Sequence, residues 1–78
     1  MGTALTPFQH RQLTARRDAL LPEWELRSEK IKWFRAALVI ETGAAVKFQL
    51  KQELLTEDGK LFELAAELEE IEQKLSQW

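Results

Sequence analysis

The sequence predicts an all-α protein, an antiparallel helical hairpin with coiled-coil character. Three observations support this prediction. Helix-forming residues dominate the 78-residue chain, and its three glycines and two prolines are too few for a loop-rich β fold. Apolar residues recur at the three- and four-residue spacing of a helix face in both halves of the chain. Between the halves, Glu41-Thr42-Gly43 has the composition of a tight corner.

The first helical arm is predicted over about residues 6–41. Thr6, Pro7 and Gln9 suit the N-cap, the first and the third helical positions, where threonine and glutamine exchange hydrogen bonds as a capping box. Two neighbouring apolar stripes then follow at seven-residue spacing. They consist of Leu13, Leu20 and Phe34, with Arg27 as a polar exception, and of Trp24, Ile31 and Leu38. Leu26, Trp33, Ala37 and Ile40 widen the apolar surface in the second half of the arm.

Pro22 interrupts this arm. Proline removes one backbone donor, clashes with the preceding turn and biases Leu21 away from helix. The apolar register is nevertheless the same before and after it, which favours a kinked helix over a break. Both remain open at this point, and a division at Pro22 would give three helices in place of two.

The second helical arm is predicted over about residues 44–77. Gly43 suits either a positive φ after the first helix or an N-cap, and Thr42 is an alternative N-cap. An apolar seam then runs in alternating steps of three and four, with Glu57 in its one polar position. Its members are Leu50, Leu54, Leu61, Leu64, Leu68, Ile71, Leu75 and Trp78. The seam crosses Gly59 in phase, which predicts one continuous helix. Phe48, Leu55 and Phe62 form a second stripe beside it.

Opposite charges in the two halves predict that one half lies against the other, or against its counterpart in a second chain. Residues 1–51 contain nine Lys and Arg against five Asp and Glu, whereas residues 52–78 contain two against eight. If the chain reverses at the corner, residues equidistant from it lie side by side. This geometry pairs Arg16 and Arg17 with Glu69 and Glu70, Arg27 with Asp58, and Lys32 with Glu53.

The chain has more large apolar residues than one helix–helix interface covers, and extended apolar patches usually mark interaction sites. We therefore expect residues 1–78 to form a single interaction module that associates with itself or with a like module as a homo-oligomer. A self-contained bundle of three helices is the alternative. The predicted interaction surface is Trp33, Phe34, Ile40, Phe48, Leu55 and Phe62. The predicted internal seam is Ile31, Leu38, Leu50, Leu54 and Leu61.

No motif indicates a catalytic, cofactor or metal site, so we expect a protein that is not an enzyme. The chain has no cysteine, which fits the cytoplasm, and His10 is its only imidazole. No apolar stretch approaches the length of a membrane span, and no signal peptide is evident. The basic N-terminal half leaves a small nucleic-acid-binding or regulatory protein as an alternative, although the pI of 5.4 argues against nucleic acid.

The segment SEKIKWFRAALVIETGAAVKFQLKQEL, residues 28–54, resembles the short helical effector-associated modules of bacterial, notably cyanobacterial, conflict systems. Those modules adjoin caspase-like, TIR or NACHT-type domains. The matching residues are Ser28, Glu29, Lys30, Ile31, Arg35, Ala37, Leu38, Ile40, Glu41, Thr42, Val46, Lys47, Phe48 and Leu50. The resemblance implies an adaptor that pairs with like modules and couples a sensor to an effector in bacterial immunity or programmed cell death.

Overall fold

Two long α-helices form an antiparallel hairpin in a computed structural model that describes residues 4–77. Helix α1 spans Pro7–Ile40, and helix α2 spans Ala44–Leu75. Three residues join them, and the molecule measures 56 × 22 × 13 Å. The predicted all-α hairpin is confirmed. The predicted seam residue Trp78 lies outside the described residues.

Helix α1 begins with the predicted capping box. The Gln9 backbone N–H donates to Thr6 Oγ1 at 3.1 Å, and the Thr6 N–H donates to Gln9 Oε1 at 3.0 Å. Pro7 occupies the first turn, where its missing N–H would have no helical partner in any case. This start is confirmed because all three residues act locally and need no contact from the second arm.

Helix α1 continues through Pro22 without a break. Pro22 is exposed, so its ring lies away from α2, while half-buried Trp24 and buried Leu20 keep the seam in register on either side. Packing along the seam therefore outweighs the lost backbone hydrogen bond. The alternative of a break at Pro22 is wrong, and so is the three-helix bundle that depended on it. A kink within the continuous helix stays a prediction.

The corner is shaped by Glu41 more than by its glycine. The Glu41 carboxylate accepts hydrogen bonds from the backbone N–H groups of Thr42 at 3.1 Å and Gly43 at 2.9 Å. Gly43 is the N-cap of α2 with φ −77°, which confirms one of its two predicted roles. The other, a positive φ, is wrong, and so is Thr42 as the N-cap. A Cβ on Gly43 would lie 3.2 Å from Glu41 Oε1, so glycine gives that carboxylate room to approach.

The core is a single line of side chains between the helices. Its buried apolar residues are Leu20, Ile31, Phe34, Leu64 and Ile71. Leu20, Leu64 and Ile71 form one cluster, against which Leu13, Trp24, Leu68 and Leu75 pack. Of the predicted internal seam, Ile31 is buried, and Leu38, Leu50, Leu54 and Leu61 are half-buried. Helix α2 is continuous across Gly59, as predicted.

Candidate interaction surface

The basic side chains of α1 pair with the acidic side chains of α2, as the charge asymmetry predicted. Arg16 Nε lies 3.0 Å from Glu67 Oε1, and Arg17 Nη1 lies 3.6 Å from Glu72 Oε1. The predicted partners Glu69 and Glu70 are wrong. All four glutamates adjoin the seam residues Leu68 and Ile71 in sequence, but Glu67 and Glu72 are the ones that reach α1, while Glu70 lies 3.2 Å from Lys74 within its own helix.

Two further predicted pairs are wrong for the same rotational reason. Asp58 pairs with Arg35, at 3.6 Å between Nη2 and Oδ1, and not with Arg27. Lys32 is turned away from α2 and lies 3.4 Å from Glu29 within its own helix. Counting residues from the corner predicts how far along the hairpin a residue lies, but it does not predict the direction in which its side chain points around the helix axis.

Glu57 is the one buried charged residue among residues 4–77, with 6% of its surface exposed. Its carboxylate accepts hydrogen bonds from Arg27 Nη1 at 2.9 Å and from Lys30 Nζ at 3.2 Å. Arg27 also contacts Glu23, one turn earlier, at 3.3 Å. The polar exceptions of the two apolar seams thus meet each other. The sequence signal was present, since each residue is the lone polar member of its seam, but their pairing was not predicted.

Burial of the Glu57 carboxylate raises its pKa, but the hydrogen bonds and positive charges of Lys30 and Arg27 outweigh burial, so its pKa lies below the ordinary glutamate value. The hydrogen bond to Glu57 is the largest effect on Arg27 and, with the contribution of Glu23, raises the pKa of Arg27 despite partial desolvation. Both groups are therefore charged at neutral pH. The cluster is therefore a group of charged side chains in which Glu57 pairs with both Arg27 and Lys30.

Two stripes of large apolar side chains remain exposed beside the core. The α1 stripe is Leu26, Trp33 and Ile40, which are 71%, 65% and 80% exposed. The α2 stripe is Phe48, Leu55 and Phe62, which are 64%, 66% and 75% exposed. These stripes contain five of the six residues predicted for the interaction surface.

Phe34, the sixth, is a correction. It is only 6% exposed and belongs to the helix–helix interface, because it continues the seven-residue stripe of Leu20 and Arg27. Its ring meets Trp33 edge to face at 5.5 Å between centroids, and Lys30 Nζ lies 5.8 Å from its centroid. Phe34 therefore packs against the ring of Trp33, and its burial against α2 leaves it inaccessible to a partner protein.

The two stripes lie on opposite faces of the hairpin, as the rotation of about 100° per residue in a helix shows. In α1, Phe34 is buried against α2, and the next residue, Arg35, reaches Asp58 at one edge of the interface. Trp33 precedes Phe34 and is rotated toward the other edge. Leu26 and Ile40 lie seven residues away on either side and share its direction.

In α2 the exposed stripe follows the seam residues in sequence, whereas in α1 it precedes them. Asp58 follows buried Glu57 and marks the Arg35–Asp58 edge. Phe62 likewise follows a seam residue, half-buried Leu61, so it is rotated toward that same edge. The other members of the α2 stripe repeat this position at seven-residue intervals. The α1 stripe therefore flanks one edge of the interface and the α2 stripe flanks the opposite edge.

Other kinds of site find little support in residues 4–77. No group of three or more histidine or acidic residues in this part of the chain could hold a metal ion. Neither α1 nor α2 is long and apolar enough to cross a membrane. Six of the nine basic residues among residues 1–51 form ion pairs, which neutralise charge that a phosphate backbone would require. They are Arg16, Arg17, Arg27, Lys30, Lys32 and Arg35.

No known protein family, curated protein or solved structure matches the chain.

Proposed function

We propose that this chain is a non-enzymatic protein–protein interaction module that associates with itself or with a like helical module on a partner protein. The observation that carries the proposal is the exposure of six large apolar side chains, aligned in one stripe on each helix. Isolated exposed apolar residues are ordinary, but aligned ones of this size are typical of interaction sites. Trp33 is the strongest anchor candidate, since tryptophan is enriched among residues that dominate binding energy.

The biological role we propose is that of a cytoplasmic adaptor, which couples a sensor to an effector in bacterial defence or programmed cell death. This part of the proposal rests on the resemblance of residues 28–54 to effector-associated modules. The hairpin supports it in one respect: the resembling segment contains the corner and three of the six stripe residues, Trp33, Ile40 and Phe48. A module of that kind acts through its surface, and part of the exposed apolar surface of this chain lies in the same segment.

The proposal is tested by measuring molar mass by light scattering from low micromolar to hundreds of micromolar protein. We expect the mass to rise with concentration. Trp33→Ala or Phe62→Ala should shift this rise to higher concentration while the far-ultraviolet helix signal is retained. Phe8→Ala is the matched control, because Phe8 is also aromatic and 62% exposed but lies at the start of α1, outside both stripes.

A wild-type chain that scatters as a monomer throughout, and that binds no like module, would contradict the proposal. So would loss of helicity in Trp33→Ala and Phe62→Ala at concentrations where the wild type is monomeric, since the two aromatics would then stabilise the fold. Concentration-dependent melting identifies the remaining case, in which folding and association are coupled and the melting temperature rises with protein concentration.

A further inference from the structure

The α1 and α2 stripes are complementary in size. Each contains three large apolar residues at seven-residue spacing, so each extends about 21 Å along its helix. The order in the α1 stripe is aliphatic, aromatic, aliphatic (Leu26, Trp33, Ile40), whereas the order in the α2 stripe is aromatic, aliphatic, aromatic (Phe48, Leu55, Phe62). Close packing favours large residues opposite small ones across an interface. When an α1 stripe packs on an α2 stripe, an aromatic residue faces an aliphatic residue at each of the three positions.

A stripe laid on its own copy meets the condition less well. Two antiparallel α1 stripes place Trp33 against Trp33 and aliphatic against aliphatic at both ends. Two antiparallel α2 stripes place Leu55 against Leu55 between two pairs of phenylalanines. The size pattern therefore favours an α1 stripe against an α2 stripe. Within one chain the two stripes cannot meet, because they lie on opposite faces, so the partner stripe belongs to another copy.

We propose that copies of this chain associate head to tail, with the α1 stripe of one copy packed on the α2 stripe of the next. This inference rests on the proposed function and specifies how the module associates with itself. A two-fold symmetric pair presents the same patch on both copies, and stripes on opposite faces cannot both belong to one such patch. Each added copy buries one stripe and exposes another, so the assembly grows into a ring or a filament and does not stop at two chains.

The exposed area is consistent with this arrangement. Three large apolar side chains that are 64–80% exposed present on the order of 400 Å² in each stripe. One contact would remove roughly 800 Å² of apolar surface from water before its polar rim is included, which approaches the range of specific interfaces at about 1,200–2,000 Å² in total. A copy in the same orientation also offers its α2 antiparallel to the α1 of its neighbour, the relation that already exists within the hairpin.

The test uses two charge substitutions, one in each stripe. Trp33→Glu disables the α1 stripe, and Phe62→Glu disables the α2 stripe. Under the head-to-tail arrangement, each variant alone lacks one half of every contact and should remain a monomer. An equal mixture retains one intact contact, between the α2 stripe of the Trp33→Glu chain and the α1 stripe of the Phe62→Glu chain. The mixture should therefore form a dimer of one chain of each kind, whereas the wild type exceeds the mass of two chains.

Sedimentation velocity separates these outcomes, and the far-ultraviolet signal of each variant verifies its fold. If either variant unfolds, Leu26→Glu or Leu55→Glu replaces it on the same stripe. Dimers formed by one variant alone would show a self-paired stripe and overturn the arrangement. A mixture that remains monomeric while the wild type associates would overturn it too, as would a wild-type mass that saturates at two chains. A wild type that never associates with itself would overturn the arrangement as well, and it would refute the proposed function only if the chain also binds no like module.

Discussion

Replacing Glu57 by glutamine tests the buried ion pair at the centre of the hairpin. The carboxylate accepts hydrogen bonds from Arg27 at 2.9 Å and Lys30 at 3.2 Å. A hydrogen bond to a charged group contributes about 1.5–3 kcal/mol, and a neutral one about 1 kcal/mol. Glutamine keeps one acceptor oxygen and loses the charge. The Lys30 side chain is 52% exposed, so its ammonium can return to water. We therefore expect Glu57→Gln to lower the free energy of unfolding by about 1–2 kcal/mol at neutral pH.

The same variant has a distinctive pH dependence. The folded-state pKa of Glu57 is lowered, so its stabilisation is fully present above the ordinary glutamate pKa of about 4.3. This stabilisation is lost as the pH falls through the lower folded-state pKa, because the unfolded state binds the proton more readily than the folded state does. Glutamine does not titrate. The difference in stability between the wild type and Glu57→Gln should therefore shrink below about pH 4.3 and vanish once the carboxylate is protonated.

Thermal unfolding followed by far-ultraviolet circular dichroism, at fixed protein concentration, measures this difference at neutral and acidic pH. A loss of 1–2 kcal/mol corresponds to a decrease in melting temperature of roughly 4–16 °C for a chain of this size. Glu53→Gln is the matched control. Glu53 is exposed one turn earlier in α2 and forms no ion pair within residues 4–77, so its removal should have little effect. Equal stability of wild type and Glu57→Gln at pH 7, or a gap that persists unchanged in acid, would refute the reasoning.

Three further substitutions probe other parts of the hairpin. Gly59→Ala should stabilise the protein by about 1 kcal/mol, because a Cβ there meets nothing within 4 Å in mid-helix; an unchanged urea midpoint would contradict this. Ile71→Ala should cost about 2–5 kcal/mol, since Ile71 is 5% exposed in the Leu20 cluster, and a cost below about 1 kcal/mol would refute its place in the core. Glu41→Ala removes the acceptor for two corner N–H groups and should lower stability by about 0.5–2 kcal/mol with helicity retained; an unaltered melting temperature would show that water replaces the carboxylate.

The sequence predicted the helices well because their signals are local. The capping box at Thr6 and the seam of α2 each depend on residues within a few turns of one another. The continuous helix at Pro22 followed from the matching register on both sides, although the proline itself pointed toward a break. The predicted bounds of both arms lie within about two residues of the helices in the structure, as is usual for helix ends.

The partners across the interface were harder to predict, because they depend on the rotation of each helix about its axis. Counting from the corner placed Arg27 opposite Asp58, but the neighbouring Glu57 is the residue that faces α1. The same rotation decides that Phe34 is buried while Trp33, one residue earlier, is exposed. Both belong to an apolar stretch in the sequence, and the pattern alone did not distinguish the residue inside the interface from the one beside it. Placing the stripes on opposite faces likewise required the Arg35–Asp58 pair.

The core cluster and the stripes occupy separate halves of the hairpin. The cluster around Leu20 draws on residues 13–24 and 64–75, at the end away from the corner. The α1 and α2 stripes lie within residues 26–40 and 48–62, nearer the corner. Mutations at the six stripe positions would thus leave the cluster untouched, so lineages of this hairpin could diverge in partner choice at those positions while inheriting the same fold. New binding specificity would then arise without passing through unstable intermediates.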